Sequence, residues 1–276
     1  MKVPVVSSIH TRFDGYLQYY RRGFLEPWFH RKLRAIYARS EHLYVPSATM
    51  MEELAGQGIA DNMRLWTRGV DHHRFSPARR SLDWRRARGI ADDAVVIAYA
   101  GRLVAEKNMA VMARVFAALT ARGVAHRTLL RGDGPEAGWM RKALPDTVFA
   151  GFLHGDDLAT AYASSDIFFF PSITETFGNV TLEAMASGLP AVTADATGAR
   201  SLVREDETGL VVPVDDEDQM VDRLQQLLAD GEMRKQFGAR AREIAVSEYE
   251  WDGIFVRLRA DYEDAIAAYA KGNSHL

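Results

Sequence analysis

The stretch from Asp166 to Pro190 reads D-I-F-F-F-P-S-I-T-E-T-F-G-N-V-T-L-E-A-M-A-S-G-L-P, and it restricts the fold more than any other. Ile167-Phe168-Phe169-Phe170 is an unbroken apolar run that Pro171 ends, which is the pattern of a buried strand. A loop carrying Glu175 follows. Thr176-Phe177-Gly178-Asn179 reads as a helix start, Val180 to Ala186 fill the helix, and Gly188 and Pro190 stop it. Buried strand, polar loop and helix N-terminus in direct succession is the unit of a parallel α/β sheet.

That unit has a chemistry. The first amides of a helix have no internal partner and carry the positive end of its dipole, so they suit a phosphate. Gly178 lets an anion approach the backbone. Glu175 before the helix start and Glu183 within the helix cannot bind phosphate, but they accept hydrogen bonds from sugar hydroxyls. Two carboxylates flanking a diphosphate fit a ligand with a sugar at each end, as in a nucleotide sugar. Taken alone, the same residues also fit a solvated loop glutamate and a surface helix glutamate.

The remainder of the chain follows the same alternation. Val3–Ser8 is strand-like, with His10-Thr11-Arg12-Phe13 at its C-terminal end. A helix is expected over 25–40, a strand at 42–46, a helix at 48–57 with Ser47 as its N-cap, and a strand at 63–67. Residues 75–88 read as a linker with a short charged helix. A second series then runs through strands at 95–100, 128–130 and 148–151, the central stretch, and strands at 191–193 and 209–213. Thr197-Gly198-Ala199-Arg200 reads as a loop, and helices at 216–229, 231–246 and 251–270 close the chain.

With 276 residues the chain has room for two modest cores, and its lack of cysteine excludes a disulfide framework or a thiol nucleophile. No apolar run is long enough to span a bilayer, and no signal-peptide pattern opens the chain. These features are read as a cytoplasmic protein. The net charge of −3 hides an asymmetry, because residues 1–40 carry eight cations against two carboxylates. A basic segment beside an acidic body points to an anionic partner. Nucleic acid is not expected, since the segment is short and holds no recognition motif.

Four motifs together resemble the retaining glycosyltransferases of the GT-B fold, family four. Glu175-x7-Glu183, in its setting, resembles the paired-Glu motif. Ala100-Gly101-Arg102-Leu103-x2-Glu106-Lys107-Asn108 is similar to the G-R-L-x-x-E-K-G element. Arg131-Gly132-Asp133-Gly134-Pro135 is similar to the G-D-G-P turn, and Ser8-x-His10-Thr11-x-Phe13 to the H-T-x-F strand end. The resemblance implies an α/β GT-B architecture: part of an N-terminal Rossmann-like domain (1–71), a complete C-terminal Rossmann-like domain (72–247) and a final helix (248–276) crossing back. It implies that Arg102 and Lys107, after Gly101, bind the donor diphosphate of a GDP- or UDP-sugar. Glu183 would hold the ribose, with Thr181 near the phosphate. Glu175 and the Phe177-Gly178-Asn179 backbone would hold the transferred hexose, of mannose or glucose type. Leu153 would lie near the base, and His10 would sit over the donor sugar, although a lone His is as readily a structural residue. Catalysis would fall to His10, Glu175, Arg102 and Lys107, with no cofactor and no metal, since two cations already neutralise the phosphates. Gly132 and Asp133 fit a structural turn better than a ligand contact.

The Gly-rich loop that opens the family's first domain has no counterpart here, so an N-terminally truncated domain is expected. An incomplete sheet would expose an apolar edge and favour self-association or a partner chain that completes it. A nucleotide-sugar-binding module without turnover is therefore the alternative to a transferase acting on a lipid or glycan acceptor. A third class, a nucleotide-sugar epimerase of the same fold, is disfavoured by the Gly101-Arg102…Lys107 loop. Residues 12–39 interleave Arg21, Arg22, Arg31, Lys32 and Arg34 with Tyr16, Tyr19, Tyr20, Phe24, Trp28 and Phe29. Such a helix suits the inner, anionic face of a membrane; the other reading packs its aromatics into the domain.

Overall fold

The structure is a computed structural model describing residues 3–11 and 23–273. It divides into two compact units, Met1–Gly69 with Trp251–Leu276, and Val70–Glu250.

The first unit is built on a parallel sheet in the order β1 (Val6–Ser8), β2 (His42–Val45), β3 (Met63–Leu65). The helix Ala48–Gly56 begins where expected, because the Ser47 hydroxyl accepts from the Met50 amide at 3.3 Å. Leu43, Val45, Met50, Leu54 and Ile59 form the core. The final helix, Trp251–Asn273, belongs to this unit, and its Tyr262 ring meets Tyr44 edge-on at 5.7 Å. Gly69 permits the close approach of Trp251, since a Cβ there would lie 2.6 Å from the indole. The first strand is shorter than the apolar run suggests, and Val3 and Val5 are exposed. The helix Glu26–Tyr37 has no buried residue; Trp28, Ile36 and neighbouring Phe24 all face solvent. Tyr16, Tyr19, Tyr20, Arg21 and Arg22 lie outside the described residues.

The second unit is a six-stranded parallel sheet in the order β6 (Val148–Gly151), β5 (Arg127–Arg131), β4 (Val96–Ala100), β7 (Ile167–Phe170), β8 (Ala191–Ala194), β9 (Gly209–Val212). The chain starts at the centre, winds outward through β5 and β6, returns to pair β7 with β4, and winds out the other way. Connections on the two sides of β4–β7 diverge, which opens a crevice at the C-terminal ends of those strands. Ile97, Phe168 and Phe169 are fully buried there, as expected of strands covered on both faces.

Two elements differ from the sequence reading. The loop expected at 197–200 is a helix, Thr197–Leu202. Its lone N-terminal turn lacks a side-chain cap and a long apolar period, the signals by which helices are recognised. Residues 75–88 contain the short charged helix expected there, Leu82–Arg86, but belong to the second unit and do not form a linker. The short helix Leu82–Arg86 packs into the second unit through Arg85, which has no exposed surface. Its guanidinium donates to the carbonyls of Ala91 (2.9 Å) and Ala94 and pairs with Asp166 (3.5 Å). Asp166 also accepts from Arg80 (2.8 Å) and from the Val96 amide (2.8 Å). One buried cation thus ties the segment to the starts of β4 and β7. Removing one member of such a buried pair costs roughly 3–5 kcal/mol because the other members lose their partner. Arg85→Met is therefore expected to lower stability in urea unfolding by about 3 kcal/mol; an unchanged midpoint would show the pair to be dispensable.

Candidate functional site

Three backbone seams shape the crevice. The Gly101 amide donates to the Arg131 carbonyl (3.0 Å), Leu103 to Asp133 (2.9 Å) and Gly132 to Gly151 (2.8 Å). The loops after β4, β5 and β6 are thereby joined. A Cβ on Gly132 would fall 1.8 Å from the Gly101 oxygen, and one on Gly134 2.2 Å from the Leu103 oxygen. Asp133 folds back to accept from the Gly134 amide at 2.8 Å. The G-D-G-P element is accordingly a structural turn that supports the neighbouring loop.

That loop carries Arg102 and Lys107. Residues Ala105–Lys107 form one 3-10 turn, and Asn108 follows in the left-handed region at φ +63°, a conformation asparagine tolerates. Asn108 then donates to the Pro171 carbonyl across the crevice at 3.3 Å. Both cations are paired. The Lys107 ammonium contacts the Glu175 carboxylate and donates to the Thr174 hydroxyl at 3.3 Å, with 11% of its side chain exposed. Arg102 is 66% exposed and lies 3.4 Å from Glu106.

On the other side of the crevice stands the helix Asn179–Ala186. Gly178 caps it at φ +99°, again a left-handed conformation, and offers no side chain to the first turn. The Thr181 and Leu182 amides return to the Gly178 carbonyl at 2.9 and 3.1 Å. The Asn179 and Val180 amides have no hydrogen-bond partner among the described residues. The hydroxyls of Thr181 and Ser172 are buried without a partner as well. Donors without a partner, whether the amides at the helix start or the two buried hydroxyls, are what an incoming anion satisfies. Phe177 turns its ring inward onto Tyr249, 5.9 Å between centroids, so its backbone rather than its ring borders the loop. The helix Thr197–Leu202 braces the same loop: the Gly198 amide donates to the Glu175 carbonyl at 3.0 Å, and a Cβ on Gly198 would lie 2.6 Å from that of Glu175.

Glu183 is largely enclosed. Its Oε2 accepts from the Tyr162 hydroxyl (3.0 Å) and lies 3.7 Å from the Arg131 guanidinium. Burial raises its pKa, while the Tyr162 hydrogen bond and the Arg131 charge oppose the rise. Leu153 is half-buried against the core, and its neighbour Phe152 is 75% exposed beside His154.

His10 lies in the other unit, at the end of β1 in a cleft with Phe29 and Leu33. Arg68 donates to its Nδ1 at 2.6 Å, and Ser8 lies 2.9 Å from its Nε2. A guanidinium only donates, so Nδ1 accepts and the neutral ring carries its proton on Nε2. Burial and Arg68 both lower the His10 pKa, which keeps the ring neutral.

Sequence reasoning missed the Lys107–Glu175 pair, the Tyr162 and Arg131 surroundings of Glu183, and the bracing by Gly198. All are contacts over long sequence separations; Lys107, Glu175, Arg131 and Gly198 each lay within a stretch visible in the sequence, whereas Tyr162 carried no signal. Among the described residues no cluster of acidic residues and histidines could hold a metal ion, and no helix is long and apolar enough to cross a membrane.

A doubly wound parallel sheet with its cations, carboxylates and uncapped helix start gathered at the strand reversal is a Rossmann-like domain. Residues 81–244, more than half the chain, match the family model described as glycosyl transferases group 1, and residues 1–74 match Glycosyltransferase Family 4. The chain belongs to the group 1 glycosyltransferases of GT-B fold. It is 34% identical to the sulfoquinovosyl transferase SQD2 of Arabidopsis thaliana over all of its own length and 55% of that protein's. It is 30% identical to a GDP-mannose-dependent alpha-mannosyltransferase of Corynebacterium glutamicum over 97% of its own length and 63% of that protein's. In structure it is similar to a sucrose-phosphate synthase of Thermosynechococcus elongatus (TM-score 0.81, 23% identity, 95% of this chain and 68% of that one). The chain therefore spans between half and two thirds of the curated relatives named here.

The Glu183 environment carries a pH signature. A carboxyl whose pKa is raised on folding favours the folded state below its ordinary value, and that contribution is lost as pH rises through the raised one. At neutral pH the buried charge is thus a burden on the empty protein. Glu183→Gln should melt at a higher temperature than the parent at about pH 7.5, and the gap should close at about pH 4, where the carboxyl is protonated in both folded and unfolded chains. A gap that is the same at both pH values would place the effect elsewhere.

Proposed function

We propose that this chain carries the donor half of a hexosyltransferase that moves a mannose- or glucose-type sugar, with retention, from a nucleotide-diphosphate sugar to a lipid or glycan acceptor. One observation carries the reading: a helix start at Gly178 with no side-chain cap and with partnerless donors faces a loop whose lysine is held by Glu175, the acid just before that helix start. In this reading the diphosphate is bound by the Asn179 and Val180 amides, Thr181, Lys107 and Arg102 above Gly101. Those charges take up the negative charge that develops on the leaving diphosphate, which is electrostatic catalysis. Glu183 accepts from the ribose. Lys107 passes from Glu175 to the phosphate, and Glu175 with the Phe177-Gly178-Asn179 backbone receives the hexose hydroxyls. The loop that holds Leu153 and Phe152 supplies the contact to the base.

Titration calorimetry of the full chain with GDP, UDP, GDP-mannose and UDP-glucose tests this. One base is expected to bind selectively, and Lys107→Ala should weaken the diphosphate by about 10- to 100-fold, the worth of a charge-assisted hydrogen bond. Glu175→Ala should bind the free nucleotide at least as well as the parent, because Lys107 is released, yet bind the nucleotide sugar no better than the nucleotide. No binding by a folded chain, or equal losses for both ligands in both variants, would overturn the assignment. The alternative of a binding module without turnover predicts the same affinities and differs only in showing no sugar transfer.

The exposed Trp28 and Ile36, on a helix that also exposes Arg31, Lys32 and Arg34, support peripheral binding to anionic lipid. Flotation with phosphatidylglycerol vesicles should carry the chain upward, and Trp28→Ala with Lys32→Glu should abolish it. Equal flotation with neutral phosphatidylcholine would argue against an electrostatic anchor. Sedimentation without lipid reports on the other expectation for this uncovered unit, association with a second copy; a monomer at high concentration would remove it.

A further inference from the structure

Glu183 is the carboxylate to which the proposed function assigns the ribose, and the sequence reading gave no role to the two side chains that surround it, Tyr162 and Arg131. Its two oxygens differ. Oε2 is held from the protein side by the Tyr162 hydroxyl at 3.0 Å, with Arg131 at 3.7 Å. Oε1 has no hydrogen bond among the described residues and is not sealed from solvent, and the side chain keeps 24% of its surface. A carboxylate fixed at one oxygen and open at the other is prepared to accept from a hydroxyl in a set direction.

The two groups that fix it are costly to keep. Tyr162 is buried and its hydroxyl divides between Glu183 and the Val180 carbonyl at 3.2 Å. Arg131 ends β5 with 12% of its side chain exposed, and its Nε is buried without a partner. Its guanidinium stands 5.9 Å from the Tyr162 ring centre. An arginine with an unsatisfied buried nitrogen is costly; Arg85 carries the same cost while holding two carbonyls and Asp166, whereas the acid that Arg131 meets is Glu183. The other cation near this helix, Arg242, binds the Ala186 carbonyl at the far end and does not serve Glu183.

Resting on the donor-site reading, we propose that Arg131 is a positioning residue: with Tyr162 it holds the Glu183 carboxylate ionised and aimed, so that its free oxygen can accept from a sugar diol. Arg131 does not touch the ligand; it acts through Glu183. Without it the carboxyl would face burial with only a neutral phenol in support, and would hold its proton to higher pH. A protonated carboxyl offers one acceptor fewer and an unwanted donor.

The test uses the full chain and three variants, Arg131→Met, Arg131→Lys and Tyr162→Phe, each first shown to be folded by circular dichroism. Affinity for UDP and GDP is measured from about pH 5 to pH 8, and the Glu183 carboxyl is followed by carbon NMR over the same range. Arg131→Met should raise the Glu183 titration midpoint. It should weaken the bound nucleotide about tenfold or more at the acid end and less at the alkaline end, with Arg131→Lys restoring most of both. Tyr162→Phe should shift the midpoint in the same direction. A loss of affinity that is uniform across pH, with an unmoved midpoint, would mean that Arg131 only supports the fold and would overturn the proposal. If neither nucleotide binds the parent, the donor-site reading fails, and the NMR midpoint alone still decides whether Arg131 governs Glu183.

Discussion

The second unit depends on backbone lying directly against backbone where the loops after β4 and β5 meet. Gly132 and Gly134 permit an approach that no side chain would allow, and the amides of Gly101 and Leu103 turn it into hydrogen bonds. The loop that carries Arg102 and Lys107 gains its shape from this seam. A loop held by its own side chains would sample many shapes and would lose entropy on binding. Here that loss is taken at folding. The seam also explains why a turn without any ligand group can belong to a functional signature.

Around this seam the crevice is assembled from both sides of the strand reversal. One wall supplies cations and the other supplies a helix start with spare donors, and acids lie on each. Each group is held by something further away in the chain: Lys107 by Glu175 and Thr174, Glu175 by Gly198, Glu183 by Tyr162 and Arg131. The site is therefore a property of the whole second unit, and the buried Arg85 staple that ties Leu82–Arg86 to β4 and β7 is part of its foundation.

Much of this was legible from residue order. Phe168 to Phe170 followed by proline marked the central strand, Gly178 marked the helix start, and Ser47 marked a cap, because each signal is local. Glu175 and Glu183 could be singled out because they sit within one short strand–loop–helix unit. What could not be read had a common cause. Arg85 could not be singled out within the short charged helix expected in 75–88, because a side chain's burial is decided by elements distant in sequence. Thr197–Leu202 looked like a loop because six residues with no cap carry too little periodicity. The meeting of Tyr162 and Arg131 at Glu183 could not be read, because a helix residue and a strand residue come together there only after the sheet is wound.

The Lys107–Glu175 pair makes the empty crevice its own counter-ion system. A lysine open to solvent attracts an anion through a cloud of mobile ions, and added salt weakens that attraction. Lys107 is almost enclosed and already paired with an acid, so in the proposed donor site a diphosphate would exchange with a fixed carboxylate instead of displacing dissolved anions. The ammonium is thus guarded against chloride, inorganic phosphate and other plain anions that cannot give Glu175 anything in return. Under the proposed function, a ligand that brings hydroxyls along with its phosphates would compensate both members of the pair at once, and selectivity between plain and sugar-bearing diphosphates would be set by an exchange of partners and not by net attraction.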